Sequence, residues 1–182
     1  MTGYIDPTKE TFAAFRDSDR PGPIHMLNLV KLRERAAYPD GRAATGAEAY
    51  AAYGRESGPV FTRLGGKVAW QGRFELMLIG PSEEHWDHCF IAEYPDVAAF
   101  AEMIRDPVYR EAVKHRQAAV EDSRLIRLQP RAAGKTFGEI SGIGLGREPI
   151  NLEELVDVRF GAHYGSRAEV ASLFDHLVGL GK

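Results

Sequence analysis

Cysteine is nearly absent: Cys89 is the one thiol in 182 residues, which excludes an internal disulfide and a cysteine-based zinc cluster. Within its apolar stretch it reads as inert packing. No apolar run approaches the roughly 20 residues a membrane-spanning helix needs, and Met1 to Glu10 is polar from the outset, so neither a signal peptide nor an anchor is expected. Positive charge is not in excess either. With 23 Lys and Arg against 26 Asp and Glu, both signs interspersed and a net charge of −3, a nucleic-acid surface and a polybasic membrane patch are both disfavoured. Phosphate-binding glycine loops are missing as well. Gly134-Lys135-Thr136 ends like a Walker loop, but Gln129 stands where the first glycine is required, and Gly142-x-Gly144-x-Gly146 lacks the dinucleotide fingerprint's spacing. These absences leave a soluble, cytoplasmic protein with no expected nucleotide, nucleic-acid or membrane partner. Its 44% hydrophobic content suffices for a core, and its length suits one domain with appendages.

Asp6-Pro7 ahead of Thr8 to Phe15 reads as a capped short helix with Phe12 and Phe15 on its buried side. Residues 1–23 are therefore expected to form an N-terminal arm, ended by Pro21-Gly22-Pro23. Ile24 to Leu32 follows as a strand apolar enough to be covered on both faces. By alternation Asn28 shares a face with Met26 and Val30, while His25 and Lys31 take the other. A buried amide needs partners, so Asn28 either ties down backbone or points into a cavity. Arg33 to Arg42 contains the turn Tyr38-Pro39-Asp40-Gly41 and makes a surface loop long enough to cover a site. Thr45 with Glu48 is a capping box that opens a helix running to Leu64, kinked at Gly58-Pro59. Tyr50, Tyr53 and Ser57 bring hydroxyls to its inner face, as a core's edge or as pocket lining. Gly65-Gly66 ends that helix, Lys67 to Gln71 and Phe74 to Ile79 read as strands, and Gly80-Pro81-Ser82 turns the chain into Glu83 to His88.

Glu84 to Leu128 organises the rest, as strand, helix, strand. Asp87 and His88 open the first strand, Cys89 to Tyr94 continues it and Pro95 ends it. Asp96 caps a helix that breaks and restarts at Asp106-Pro107. In the restarted piece Tyr109, Val113 and Val120 line one stripe with Ala112, Ala119 and Val108 beside it. Arg116 sits in the middle of that stripe and His115 at its edge. An arginine there cannot lose its charge, so it must reach water or meet an anion. Either it pairs with an acidic group of the sheet, Asp87 and Glu93 being nearest in sequence, or it faces a cavity holding an anionic or carbonyl-bearing ligand. His85-x-x-His88 resembles a metal pair only superficially, because residues three apart on a strand point to opposite faces, and no metal site is expected. Residues 131–182 shift to a glycine-rich connector and a C-terminal helix, Ser166 with Glu169 capping the stripe Val170, Leu173, Phe174, Leu177 and Val178. That stripe could pack on its own domain or be exchanged with a second subunit.

Taken together, HMLNLVKLRERAAYPDG, GAEAYAAYGRESGPVF, LMLIGPSEEHWDHCFIAEYP and RDPVYREAVKHRQAAVEDSRLI resemble the domain-of-unknown-function family numbered 1330, over about Ile24 to Leu128. The resemblance implies an α+β fold, a ferredoxin-like βαββαβ domain over residues 24–130 whose subunits pair sheet to sheet into a dimeric α+β barrel. It implies no particular reaction, since that superfamily includes cofactor-free monooxygenases, small-ring isomerases, haem-degrading proteins and non-catalytic stress proteins.

Residue chemistry then supplies the candidates. His115 and His88 are the possible general bases and Asp87 an orienter. Arg116 is the anion partner, Asn28, Tyr50 and Tyr53 are hydrogen-bond donors, and His25 and Trp86 complete the ligand-binding set. No cofactor is expected. Two functions stay open. One is a cofactor-independent enzyme, of isomerase or monooxygenase type, that abstracts a proton from a small carbonyl or phenolic metabolite. It requires a closed cavity between helices and sheet. The other is a non-catalytic homodimeric binding or stress-related protein whose polar core is purely structural.

Overall fold

The computed structural model describes residues 3–18 and 20–134, and the expected glycine-rich connector and C-terminal helix lie almost wholly outside them. The elements follow as α1 (Lys9–Asp17), β1 (Ile24–Leu32), α2 (Gly46–Arg63), β2 (Lys67–Gly72), β3 (His88–Tyr94), α3 (Val97–Arg105), α4 (Pro107–Ala119) and β4 (Val120–Leu128). The sheet order is β2-β3-β1-β4, antiparallel throughout. From β1 onward this is a βαββαβ unit of ferredoxin-like topology, with α2 joining β1 to β2 and the broken helix α3–α4 joining β3 to β4.

Local chemistry sets the helix ends. The Thr45 hydroxyl accepts from the Glu48 N–H at 3.1 Å while the Glu48 carboxylate accepts from the Thr45 N–H at 2.8 Å, a reciprocal capping box. Asp106 closes α3 and opens α4: its N–H donates to the Glu102 and Met103 carbonyls, and its carboxylate accepts from the Val108 and Tyr109 N–H groups. Pro107 occupies the first turn, where its missing N–H costs nothing. Thr8, rather than Asp6, caps α1.

Three expectations about the elements give way. Phe74 to Ile79 forms no strand: β3 takes the side of β2 that a hairpin from Phe74 would occupy, and the segment joins neither outer edge of the sheet. Leu76, Leu78 and Ile79 are left 75%, 85% and 91% exposed. Val120 begins β4 instead of continuing the helix, and Val108, placed beside the helix's apolar stripe, is exposed. Asp87 precedes β3, yet is stapled to β1: its N–H donates to the Val30 carbonyl at 2.8 Å and its carboxylate accepts from the Leu32 N–H at 2.6 Å.

Only one face of β1 is covered among the described residues. On that face the core forms two clusters. One joins Ile24, Met26, Val60, Ala92, Tyr94, Val97 and Met103. The other joins Val30, Ala36, Ala49, Ala118, Ala119 and Val120. On the opposite face the register lines up Trp70, Ile91, Leu27 and Ile126 as one apolar row across all four strands.

Candidate functional site

The register places what lies between the two clusters. Asn28 pairs with Phe90 and Val30 with His88, so these side chains share the helix-facing side of the sheet with Met26 and Ala92. Above them α2 contributes Tyr50 and Tyr53, one turn apart, and α4 contributes Tyr109. Tyr109 packs on the first cluster, Tyr50 on the second and Phe90 on both. A belt of partly exposed aromatic and polar groups therefore divides the core.

Within the belt the rings are in sequence contact. His88 stacks on Tyr50 with centroids 4.7 Å apart and planes 17° from parallel. Tyr50 meets Tyr53 at 5.6 Å, and Tyr53 meets Tyr109 edge to face at 6.2 Å with their hydroxyls 3.5 Å apart. Burial pushes the Tyr50 and Tyr109 phenols far above their ordinary pKa, against the weaker opposing field of Arg116, so both remain protonated donors. Burial pushes the His88 imidazole down, with Asp87 opposing, so the ring is neutral near neutral pH and has a basic nitrogen. Among the described residues neither the His88 ring nor the Tyr50 hydroxyl makes a hydrogen bond. The Asn28 amide donates to the Met26 carbonyl at 2.8 Å, leaving its side-chain oxygen free there.

The other candidates are drawn elsewhere. Arg116 is buried, as its place in the stripe requires, but neither expected partner reaches it. Its guanidinium donates to the Ile5 carbonyl at 2.5 Å and to the Ser123 hydroxyl at 3.1 Å, with the Asp6 carboxylate 3.6 Å away. Asp87 is occupied by β1, and Glu93 lies on the far side of the sheet. There Glu93 binds His25 at 2.8 Å and Lys67 at 3.0 Å, and these hydrogen bonds hold its carboxyl below the usual carboxylate range. His25 is thereby separated from Asn28 by the thickness of the sheet. His115 faces α2 and the loop after β1: Glu56 sits 3.3 Å from its Nε2, which leaves Nδ1 to accept from the Tyr38 hydroxyl at 2.5 Å. Ser57 donates back to the Tyr53 carbonyl within its own helix. Trp86 is buried next to Arg124, whose guanidinium lies 5.3 Å from its ring centre, rather than in the belt.

Of the expected set, the fold thus brings Asn28, Tyr50, Tyr53 and His88 together and disperses Asp87, His115, Arg116, His25 and Trp86. Tyr109 and Phe90 were not foreseen. Tyr109 carried a signal, an aromatic on the same stripe as Arg116, whereas Asp6 and Ser123 as partners of Arg116 carried none. Two open clefts of about 460 and 440 Å³ lie along α1, α3 and the turn before β1, and neither reaches the belt. Neither cleft is the expected closed cavity between helices and sheet, and the partly exposed rings of Tyr50, Tyr53, His88 and Tyr109 form an aromatic shelf between the two clusters. No helix among the described residues is long and apolar enough to cross a membrane.

No functionally curated protein matches the chain. The sequence profile described as a domain of unknown function, DUF1330, matches residues 42–127. The crystal structure of methylated RPA0582 is 82% identical, with a TM-score of 0.73, and spans 74% of this chain and all of that one. A second structure of RPA0582, a protein of unknown function from Rhodopseudomonas palustris, is 81% identical with a TM-score of 0.71 over 72% of this chain and all of that one. A dimeric ferredoxin-like protein of unknown function from Bacteroides fragilis is 12% identical over 59% of this chain and 95% of that one, at a TM-score of 0.39, too loose a likeness to carry an argument. With the profile lying over α2 to β4 and a relative 82% identical covered from end to end, the chain belongs to the DUF1330 family.

Proposed function

We propose that this protein binds a small planar carbonyl or phenolic molecule on the shelf between its two core clusters, with His88 accepting a proton from it. The observation that carries the reading is the His88–Tyr50 pair. The imidazole is held neutral by burial, stacked at 4.7 Å on a protonated phenol, and neither group is hydrogen-bonded among the described residues. A ligand ring can extend that stack, while the Tyr50 hydroxyl and the Asn28 oxygen supply a donor and an acceptor for its polar edge. Arg116 takes no direct part, being engaged by Ile5, Ser123 and Asp6. Its charge reaches the Tyr50 and Tyr109 phenols only as a field.

The assembly in this reading is a homodimer through the uncovered sheet face. Trp70 and Ile126, at the two ends of the apolar row, are 52% and 44% exposed, and a second copy would remove that row from water. The competing reading, a non-catalytic homodimer with a structural polar core, is favoured by the internal satisfaction of Arg116 and His115. A melting screen of phenols and enones against wild type and His88→Phe separates the two. Ligands that raise the wild-type midpoint and lose that effect in the variant support the shelf. A wild type indifferent to the whole panel, or shifts that survive His88→Phe, would overturn it.

A further inference from the structure

Arg116 has company that a guanidinium does not ordinarily settle for. A planar fork matches a carboxylate best when two parallel hydrogen bonds form. Here it holds one backbone carbonyl, of Ile5, and one hydroxyl, of Ser123. The nearby carboxylate, Asp6, stays at 3.6 Å and instead accepts from the Gln117 amide at 2.9 Å. The group is 9% exposed, so what occupies its fork decides whether it meets water or a ligand.

All but one of these occupants belong to a single short segment. Gly3 to Asp6 is laid along the start of β4 and the end of α4 by polar contacts. The Tyr4 N–H donates to Asp122 at 2.7 Å, the Ser123 hydroxyl donates to the Tyr4 carbonyl at 2.7 Å, and Arg124 lies over the Tyr4 ring at 5.0 Å. Apolar backing within the segment comes from Ile5, which is partly buried on the second core cluster, whereas Tyr4 is 71% exposed, the Asp6 side chain 45% exposed, and no residue of the following α1 is fully buried. Segments held this way open at a lower free energy than the core beneath them. Arg116 itself is fixed from below, since Ser123 pairs with Val30 in the middle of the sheet.

We infer that Arg116 and Ser123 form a carboxylate-binding site in which the Gly3–Asp6 segment is the resident internal ligand, displaced when an external monocarboxylate binds. The site is separate from the aromatic shelf and does not require it. His88 and Ser123 flank Val30 in one register row, two strand spacings or about 10 Å apart. Through competition with the segment, the apparent affinity of the site is its intrinsic affinity scaled by the fraction of molecules whose segment is lifted.

The close approach at Gly3 offers a way to lift the segment in the full chain by a substitution outside both core clusters. A Cβ there would come 1.9 Å from the Glu121 carbonyl oxygen, so any side chain forces the segment away. Benzoate titrated by calorimetry into wild type and Gly3→Val, with benzamide as the uncharged isostere, tests the inference. The expected result is an apparent Kd for benzoate at least about tenfold lower in Gly3→Val, no comparable gain for benzamide, and loss of benzoate binding in Gly3→Val/Arg116→Lys. Equal benzoate binding by wild type and Gly3→Val overturns the inference, as does benzamide binding as tightly as benzoate. The benzamide comparison stands even if the double variant fails to fold.

Discussion

Asp106 carries more of this fold than its place on the surface suggests, and replacing it should show how much. Its carboxylate, 14% exposed, accepts from the Val108 N–H at 2.8 Å and the Tyr109 N–H at 3.1 Å, and it meets the Arg63 guanidinium of α2 at 2.5 Å. Loss of an N-cap costs about 1 to 2 kcal/mol. The ion pair adds at most about 1 kcal/mol, because Arg63 is 55% exposed and well screened. Asp106→Ala should therefore lower the unfolding free energy by about 1 to 3 kcal/mol. Asp106→Asn, which keeps an oxygen for the two N–H groups, should lose about 1 kcal/mol, and Arg63→Ala less than that. Urea unfolding of the three variants measures the series. Because Tyr109 is one of the capped residues, Asp106→Ala should also disturb the aromatic belt, visible as a changed near-ultraviolet dichroism before unfolding begins. An Arg63→Ala loss as large as that of Asp106→Ala would show that the cross-helix ion pair, not the cap, is what matters. A loss below about 0.5 kcal/mol for Asp106→Ala would refute the capping argument outright.

Three further outcomes follow from the same geometry. Since burial lowers the His88 pKa, the unfolded chain binds that proton more readily, so stability should fall as pH drops below the ordinary histidine value of about 6.5. His88→Phe, which keeps a ring on Tyr50, should flatten that part of the curve, and an unchanged slope between about pH 5 and 7 would refute it, the lowered Glu93 contributing only in the more acidic carboxylate range. Tyr50→Phe removes a hydroxyl with no bond among the described residues and should change the urea midpoint by no more than about 0.5 kcal/mol equivalent, a larger loss revealing a structural partner. Leu27→Asp, in the centre of the apolar row, should convert a dimer to a monomer by light scattering at micromolar concentration, and a dimer that persists would exclude that face as the interface.

Local rules carried the chain a long way. Asp96, Asp106-Pro107 and the Thr45–Glu48 box announce helix starts because a cap's partners lie two or three residues along, within reach of sequence reasoning. The apolar run Ile24 to Leu32 is a strand for equally local reasons, while the βαββαβ order comes with the family resemblance, the local reading adding a strand at Phe74 to Ile79. Arg116 was identifiable as buried from its stripe alone.

What tertiary structure decided was partnership across distance. Sequence proximity pointed Arg116 to Asp87 or Glu93, but Asp87 is consumed by the end of β1 and Glu93 is on the wrong side of the sheet, so a segment from the other end of the chain supplies the contacts. Phe74 to Ile79 has the composition of a strand, yet β2 pairs with β3 instead, a choice that composition cannot express. His88 and Tyr50 are ordinary residues on different elements until antiparallel register and helix packing stack them, and only that packing gives a histidine at a strand's start the burial that lowers its pKa. Spacing along a chain encodes what a few covalent bonds can bring together, whereas a binding site depends on which faces end up opposite one another.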